Sequence, residues 1–187
     1  MSRALSLASG NVHKLEELRL VLPGWQVDLV ADGEPPAEDG ATFEDNALIK
    51  ARWGRRHAPD DAWALGEDSG IEAAALGGAP GVLTARWAAG DPVGRILAAL
   101  FAEDDRRARY VCVLVALAAD GREVVAEGTL AGTIARSAAG SEGFGFDPVF
   151  VPDGEQQTVA QLGNEWKRRH SHRARAARRL TELLGSN

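Results

Sequence analysis

The sequence has one cysteine in 187 residues, Cys112. A lone thiol closes no intrachain disulfide, and its place in an apolar run predicts a core side chain; both fit a reducing compartment. Met1 to Leu5 lacks the long apolar region of a signal peptide. No run reaches the length that crosses a bilayer. These absences predict a soluble, cytoplasmic protein with no membrane partner. The chain also lacks internal repeats, low-complexity tracts and linkers, so residues 1–187 are expected to form a single domain. A chain this long buries about 70% of its unfolded surface and needs no covalent staple.

A surplus of positive charge is missing too. The net charge is −6, whereas a general nucleic-acid binder is more often basic. The charge is uneven, however. Residues 167–187 hold seven bases (Lys167, Arg168, Arg169, Arg173, Arg175, Arg178, Arg179) against one acid, Glu182. A cationic segment facing an acidic body suits a small anionic ligand held through a metal.

What the chain does have is a series of short polar stretches set between apolar runs. The central one follows a short strand, Ala62 to Leu65, and reads Gly66-Glu67-Asp68-Ser69-Gly70. Acid, hydroxyl and glycine together also make an ordinary polar turn. If the strand continues, Glu67 and Asp68 point to opposite faces, one free to hold a metal or activate a water and the other to support it. The strand's C-terminal edge is where open α/β sheets bind ligands.

Around this stretch the elements can be read in order. Ala4 to Ala8 reads as a first strand. Ser9-Gly10-Asn11-Val12-His13-Lys14 then leads into Leu15, Leu18, Val21 and Leu22 at helical spacing. Strand, glycine turn and helix with an early lysine is the layout of a phosphate cradle, although it lacks the glycines and Lys-Ser/Thr pair of a Walker A loop. A plain strand-to-helix turn gives the same pattern. Trp25, Val27 and Leu29 alternate as a strand, and Asp32 to Ala41 is a loop rich in Pro, Gly and acids. Thr42-Phe43-Glu44-Asp45 fits a capped helix start, which puts Asn46 and Lys50 on one face four residues apart.

Beyond the centre, Gly77 to Gly81 is a tight turn leading into Val82 to Trp87, a strand or turn carrying Arg86. Ile96 to Phe101 reads as a short helix. Tyr110 to Leu117 is a buried strand, Asp120-Gly121 a hairpin signal and Val124-Val125 the returning strand, with Leu130 to Ala135 pairing next. Gly143-Phe144-Gly145-Phe146-Asp147-Pro148 reads either as a bulged strand or as a platform on which a planar base stacks while Asp147 bonds its edge. From about Asn164 the chain is helical, interrupted near Lys167 and Ser171-His172-Arg173.

Five of these blocks, in this order, resemble the inosine triphosphate pyrophosphatase (HAM1-like) family, the non-canonical purine NTP pyrophosphatases. They are Ser9 to Lys14; Glu38 with Thr42 to Ala51; Glu67 to Gly70; Gly143 to Pro148; and Lys167 with Ser171 to Arg173. The resemblance covers essentially the whole chain. It implies an α/β fold with a mixed, elongated sheet flanked by helices, two lobes with the active-site cleft between them, and a homodimer. It implies Mg²⁺-dependent hydrolysis of ITP, dITP and XTP to the monophosphate and pyrophosphate. By the same resemblance Ser9, Gly10, Asn11, Val12, His13, Lys14 and Lys50 meet the phosphates, with Arg86 adding charge and Ser69 touching substrate. Glu38 and Asp68 hold the metal, Asp39 being a rival to Glu38, and Asp68 is the catalytic base. Phe144, Gly145, Phe146 and Asp147 form the base platform, and Lys167, His172 and Arg173 close around the purine edge.

The chain departs from the family pattern in places. Ala37-Glu38-Asp39-Gly40 stands where Glu-Glu-Thr-Gly is frequent, and Asp45 where Glu is usual. Phe146 stands where Tyr or Trp is commoner, and the segment from Gly90 to Ile96 is short. Other readings stay open at this point: a pyrophosphatase on other modified nucleotides, a nucleotide sensor without turnover, or a nucleic-acid binder using the basic C-terminal segment. The acidic remainder of the chain speaks against the last.

Overall fold

A computed structural model of the chain describes residues 3–30, 33, 36–88 and 90–185. The strands are β1 (Ala4–Leu7), β2 (Gln26–Leu29), β3 (Trp63–Ala73), β4 (Arg107–Leu117), β5 (Glu123–Ile134) and β6 (Phe150–Pro152). The α-helices are α1 (Val12–Val21), α2 (Phe43–Arg55), α3 (Thr84–Ala88), α4 (Pro92–Ala99), α5 (Val159–His170) and α6 (His172–Gly185). The strands form one sheet in the order β2-β1-β3-β4-β5-β6. β1 runs parallel to β2 and β3, whereas β5 and β6 are antiparallel. The fold is α/β, a mixed six-stranded sheet with flanking helices, as the sequence predicts.

Two compact units make up the chain. The first comprises Met1–Asp68, Cys112–Gly128 and Arg173–Asn187, and the second Ser69–Val111 and Thr129–His172. In the first unit, alternation along β3 sends Leu65 and Glu67 to one face and Ala64, Gly66 and Asp68 to the other. Leu15 and Leu18 of α1 and Ala176, Ala177 and Leu180 of α6 pack with Leu5, Leu7, Leu65, Cys112 and Leu114 in one core. On the opposite face α2 lies directly on β3. A Cβ at Gly66 would come within 1.9 Å of the Ala47 carbonyl oxygen, so only glycine admits the helix this closely. The helix starts as the sequence predicts. Thr42 accepts from the Asp45 N–H at 3.0 Å while the Asp45 carboxylate accepts from the Thr42 N–H at 3.0 Å, a box in which the cap contributes about 1 kcal/mol.

The second unit has its own core, with Ile71, Ile96, Leu100, Leu130, Ile134, Phe146, Val149, Phe150 and Val159 packed around Tyr110. The β4–β5 turn is closed by the Ala118 N–H donating to the Arg122 carbonyl at 2.9 Å, where the Asp-Gly signal puts it.

Several expectations need correction. Glu67, Asp68 and Ser69 do not form a polar turn, because β3 runs on to Ala73. Val82 to Trp87 is helical, not extended. The Thr84 hydroxyl donates to the Gly81 carbonyl at 2.5 Å and accepts from the Ile71 N–H at 3.0 Å, which fixes a helical turn despite two β-branched residues. Val124-Val125 and Leu130-to-Ile134 belong to a single strand. The Gly143 stretch is a string of turns rather than a bulged strand, with only Phe150 reaching β6. There Asp147 accepts from the Phe144 N–H at 2.9 Å, and Gly143 has φ 79° with no room for a Cβ beside the Asp147 carboxylate. Val159 to Leu162 form a short helical turn behind a Thr158–Gln161 capping box; the backbone leaves the helix at Gly163 (φ 85°), and the helix that starts at Asn164, as the sequence predicts, breaks at the extended Ser171. Of the Asp32-to-Ala41 loop, Asp32, Glu34 and Pro35 lie outside the described residues.

Candidate active site

The two adjacent carboxylates of β3 enter different surroundings because alternate strand residues face opposite ways. Glu67 is fully buried. Lys14 Nζ lies 2.6 Å from its Oε2, and Arg173 Nη2 donates to its Oε1 at 3.0 Å. The other arm of Arg173 pairs with Glu17 of α1. The Cys112 thiol also points at Glu67 Oε1, 3.5 Å away. Burial pushes the Glu67 carboxyl up, but Lys14, Arg173 and Lys50 together outweigh it and hold the group well below the usual carboxylate range. The Cys112 thiol is pushed well above its ordinary value by burial and by the Glu67 charge, so it stays a protonated core side chain.

Asp68 faces α2. Lys50 Nζ donates to its Oδ1 at 2.8 Å and Asn46 Nδ2 to its Oδ2 at 3.3 Å. The same ammonium donates to Glu38 Oε1 at 3.0 Å. Burial raises the Asp68 carboxyl, and this outweighs the pull of Lys50 and Lys14 in the other direction. Lys50 loses more from burial than from any other single cause, yet Asp68, Glu67 and Glu38 together raise it. Asn46, fully buried, also accepts from the Gly40 N–H at 2.8 Å. One side chain thus ties the loop carrying Glu38 to the carboxylate of Asp68.

At the start of α1, Asn11 caps the helix by accepting from the N–H groups of His13 at 3.0 Å and Lys14 at 3.4 Å. Ser9 Oγ accepts from the Asn11 N–H at 3.1 Å. Gly10, Asn11, Val12 and His13 are exposed. The positive end of the helix dipole favours an anion there.

In the second unit, Asp147 is 3% exposed. Its Oδ2 accepts from Lys167 Nζ at 2.6 Å and from the Phe144 N–H, and its Oδ1 from the Tyr110 hydroxyl at 3.3 Å. Lys167 Nζ also sits 4.2 Å from the Phe144 ring centroid, close enough for cation–π attraction. His172 stacks on Tyr110 with centroids 4.6 Å apart and planes 11° apart.

The residues the sequence singles out therefore fall into two clusters. Lys14, Glu38, Lys50, Asp68 and Arg173 gather in the first unit, with Ser9 to His13 at the start of α1. Phe144, Asp147, Lys167 and His172 gather in the second. Arg173 is buried against Glu67 and Glu17, while Phe146 belongs to the core with its ring 6.5 Å from Trp87. Ser69 and Gly145 are half-buried, and Arg86 is exposed on α3. Sequence reasoning gave no role to Glu17, Asn46 or Tyr110. The first two were within its reach, since Glu17 lies three residues after Lys14 and Asn46 four before Lys50, each on its lysine's helix face. Tyr110 carried no such signal.

Residues 5–183 match the model of the Ham1 family. The chain belongs to that family. It is 44% identical over 191 residues to a dITP/XTP pyrophosphatase of Symbiobacterium thermophilum, a match spanning 97% of this chain and 95% of the other. It is 41% identical over 189 residues to a dITP/XTP pyrophosphatase of Leifsonia xyli subsp. xyli, spanning 95% and 94%. Among solved structures, the Ham1 protein of Staphylococcus aureus superposes with a TM-score of 0.86 at 32% identity, covering 98% of each chain. A HAM1 protein from Coxiella burnetii gives 0.81 at 35% identity over 100% of each. This is the family to which the five sequence blocks point. Among the described residues no helix is long and apolar enough to cross a membrane.

Proposed function

We propose that this Ham1-family chain is a nucleoside-triphosphate pyrophosphatase that hydrolyses purine triphosphates with non-canonical bases, dITP, XTP and ITP, to the monophosphate and pyrophosphate. The observation that carries the reading is the surroundings of Asp68. A buried carboxylate with a raised pKa, gripped by a lysine and an amide, suits a general base that must take a proton from water near neutral pH. Asp68 would deprotonate the water that attacks the α-phosphate. Lys14 and Lys50 would turn their ammonium groups from carboxylates to β- and γ-phosphate oxygens as point charges. Ser9, Gly10, Asn11, Val12 and His13 would offer the helix start to the triphosphate, Ser69 would touch substrate, and Arg86 would add positive charge.

Glu38 and Asp68 would hold Mg²⁺. Their oxygens both reach the Lys50 ammonium, so two carboxylates converge on a point that a cation already occupies. Among the described residues no group of three or more His, Cys, Asp or Glu forms a ligand set. Two acids fit an ion that keeps waters and shares its coordination with phosphates. Bound there, Mg²⁺ would neutralise phosphate charge as a Lewis acid.

For the base, Phe144, Gly145, Phe146 and Asp147 would form the platform and Lys167, His172 and Arg173 would meet the polar edge. Lysine and arginine offer donors only, which matches the 6-oxo acceptor of hypoxanthine and xanthine and mismatches the 6-amino donor of adenine. The same reading carries a homodimer located in the cytoplasm, and light scattering reports the mass. Pyrophosphate release is the deciding measurement, run on dITP, XTP, ITP and ATP with and without Mg²⁺. Rapid, Mg²⁺-dependent release from the first three and little from ATP is expected. Stepwise orthophosphate release, or equal rates on ATP, would overturn the reading.

A further inference from the structure

Tyr110 lies on β4 in the second unit, 7% exposed. Its hydroxyl reaches Asp147 Oδ1 at 3.3 Å, and its ring lies almost parallel to His172 at 4.6 Å and tilted by 43° against Phe150 at 4.5 Å. One rigid side chain thus touches two residues assigned to the base, each at a different atom. Asp147 in turn holds Lys167, whose ammonium lies over Phe144. The line of contact runs from His172 through Tyr110 and Asp147 to Lys167 and Phe144.

We propose that Tyr110 is a positioning residue for base specificity, fixing the carboxylate plane of Asp147 through its hydroxyl and the ring plane of His172 through stacking. The inference rests on the assignment of Asp147, Lys167 and His172 to the base. A carboxylate free to rotate about its last torsion would let the Lys167 ammonium wander, and a donor aimed at a 6-oxo group discriminates only when its direction is fixed. A phenol has few rotatable bonds and sits on a strand, so it loses little entropy in holding both neighbours. The Phe150 ring and the strand hold Tyr110 itself.

The two contacts separate by mutation. Tyr110→Phe keeps the ring and removes the bond to Asp147, whereas Tyr110→Leu removes both. The readouts are kcat and KM on ITP and on ATP, with calorimetric binding of inosine monophosphate as a measurement independent of turnover. Loss of one hydrogen bond to a charged group corresponds to roughly tenfold or more. Tyr110→Phe is therefore expected to lower the ITP-to-ATP ratio of kcat/KM about tenfold, mainly through KM for ITP, and to weaken monophosphate binding in step. Tyr110→Leu is expected to lower it further. A merely structural tyrosine would slow both substrates equally and leave the ratio alone.

Asp147→Asn is measured beside them. If it collapses the ratio while Tyr110→Phe and Tyr110→Leu, both folded by circular dichroism, keep the wild-type value, the positioning role of Tyr110 is refuted and the base assignment stands. If neither Asp147→Asn nor the Tyr110 variants move the ratio, the base assignment itself falls and takes this inference with it.

Discussion

The two polar clusters are both built around buried carboxylates, yet they are held in different ways. In the first unit Lys14, Lys50, Glu38, Glu67, Asp68 and Arg173 hold one another almost entirely by charge. In the second, Asp147 meets one ammonium but also a backbone N–H and a phenol, and stacking orders the rings around it. Ion pairs are weakly directional, so their members can exchange partners when a polyanion and a cation arrive. Hydrogen bonds from a backbone and a strand-borne ring keep one direction whatever arrives. The first arrangement suits a task every triphosphate shares, and the second suits telling one base from another.

The largest test of this division is Asp68→Asn. A neutral amide cannot accept the proton of water, and loss of a general base costs 10²–10⁴-fold. The expected loss is the same on ITP and ATP, since no role toward the base is proposed for Asp68 itself, while nucleotide binding by calorimetry largely survives. A loss that depends on the base would join the two clusters into one recognition device.

Glu67→Gln comes next and acts on the fold. It leaves Lys14 and the deeply buried Arg173 without the carboxylate between them, and removing one partner of a buried ion network costs about 3–5 kcal/mol. Urea unfolding should show that loss in the midpoint. A Glu67→Gln protein as stable as wild type but inactive would mean that Glu67, not Asp68, takes part in the chemistry.

How much of this was legible in the sequence follows from which contacts are local. The Thr42–Asp45 box lies within three residues of chain and was visible; the Asn11 cap of α1 is just as local, but that stretch reads equally as a phosphate cradle or a plain strand-to-helix turn. The alternation that separates Glu67 from Asp68 was visible once β3 was taken past Leu65. The tight approach of α2 at Gly66 was not, because a glycine after an apolar run signals a turn as readily as a close backbone contact. Tyr110 was hidden for a related reason. At the head of a continuous apolar run it looks like one more core aromatic, and its partners lie 37 residues away at Asp147 and farther still at His172.

Asn46→Ala is expected to act more mildly than Glu67→Gln and to be blind to the base. It strands the Gly40 N–H and one oxygen of Asp68, and an unsatisfied buried group costs about 1–3 kcal/mol. The Glu38 loop loses its tether to β3 at the same time. Stability by urea unfolding should fall by that amount, and Mg²⁺ should then protect the protein less against thermal unfolding than it protects wild type. An unchanged Mg²⁺ effect would detach Asn46 from the metal end.

The smallest effect at neutral pH, and the most direct comparison of Glu67 with its neighbour, appears on acidification. Glu67 has a folded pKa well below 4.5. Its stabilising contribution is complete above the unfolded value and is lost only as pH falls through the depressed folded one. Asp68 is raised above 3.8, which reverses the sign: its ionisation opposes folding, so its favourable contribution is full below 3.8 and lost as pH rises through the folded value. Under the role proposed for Asp68 activity runs the other way, because a base must be ionised to work. As pH is lowered, kcat/KM should therefore fall through the raised pKa of Asp68 while Glu67 is still ionised and its ion pairs still support the fold. The check is a pH profile of kcat/KM on ITP beside near-ultraviolet circular dichroism of the same samples. Turnover should fade first, with the tertiary signal intact. If the two signals collapse together, the acid limb reports unfolding, and the opposed charge states of these adjacent carboxylates would have no part in it.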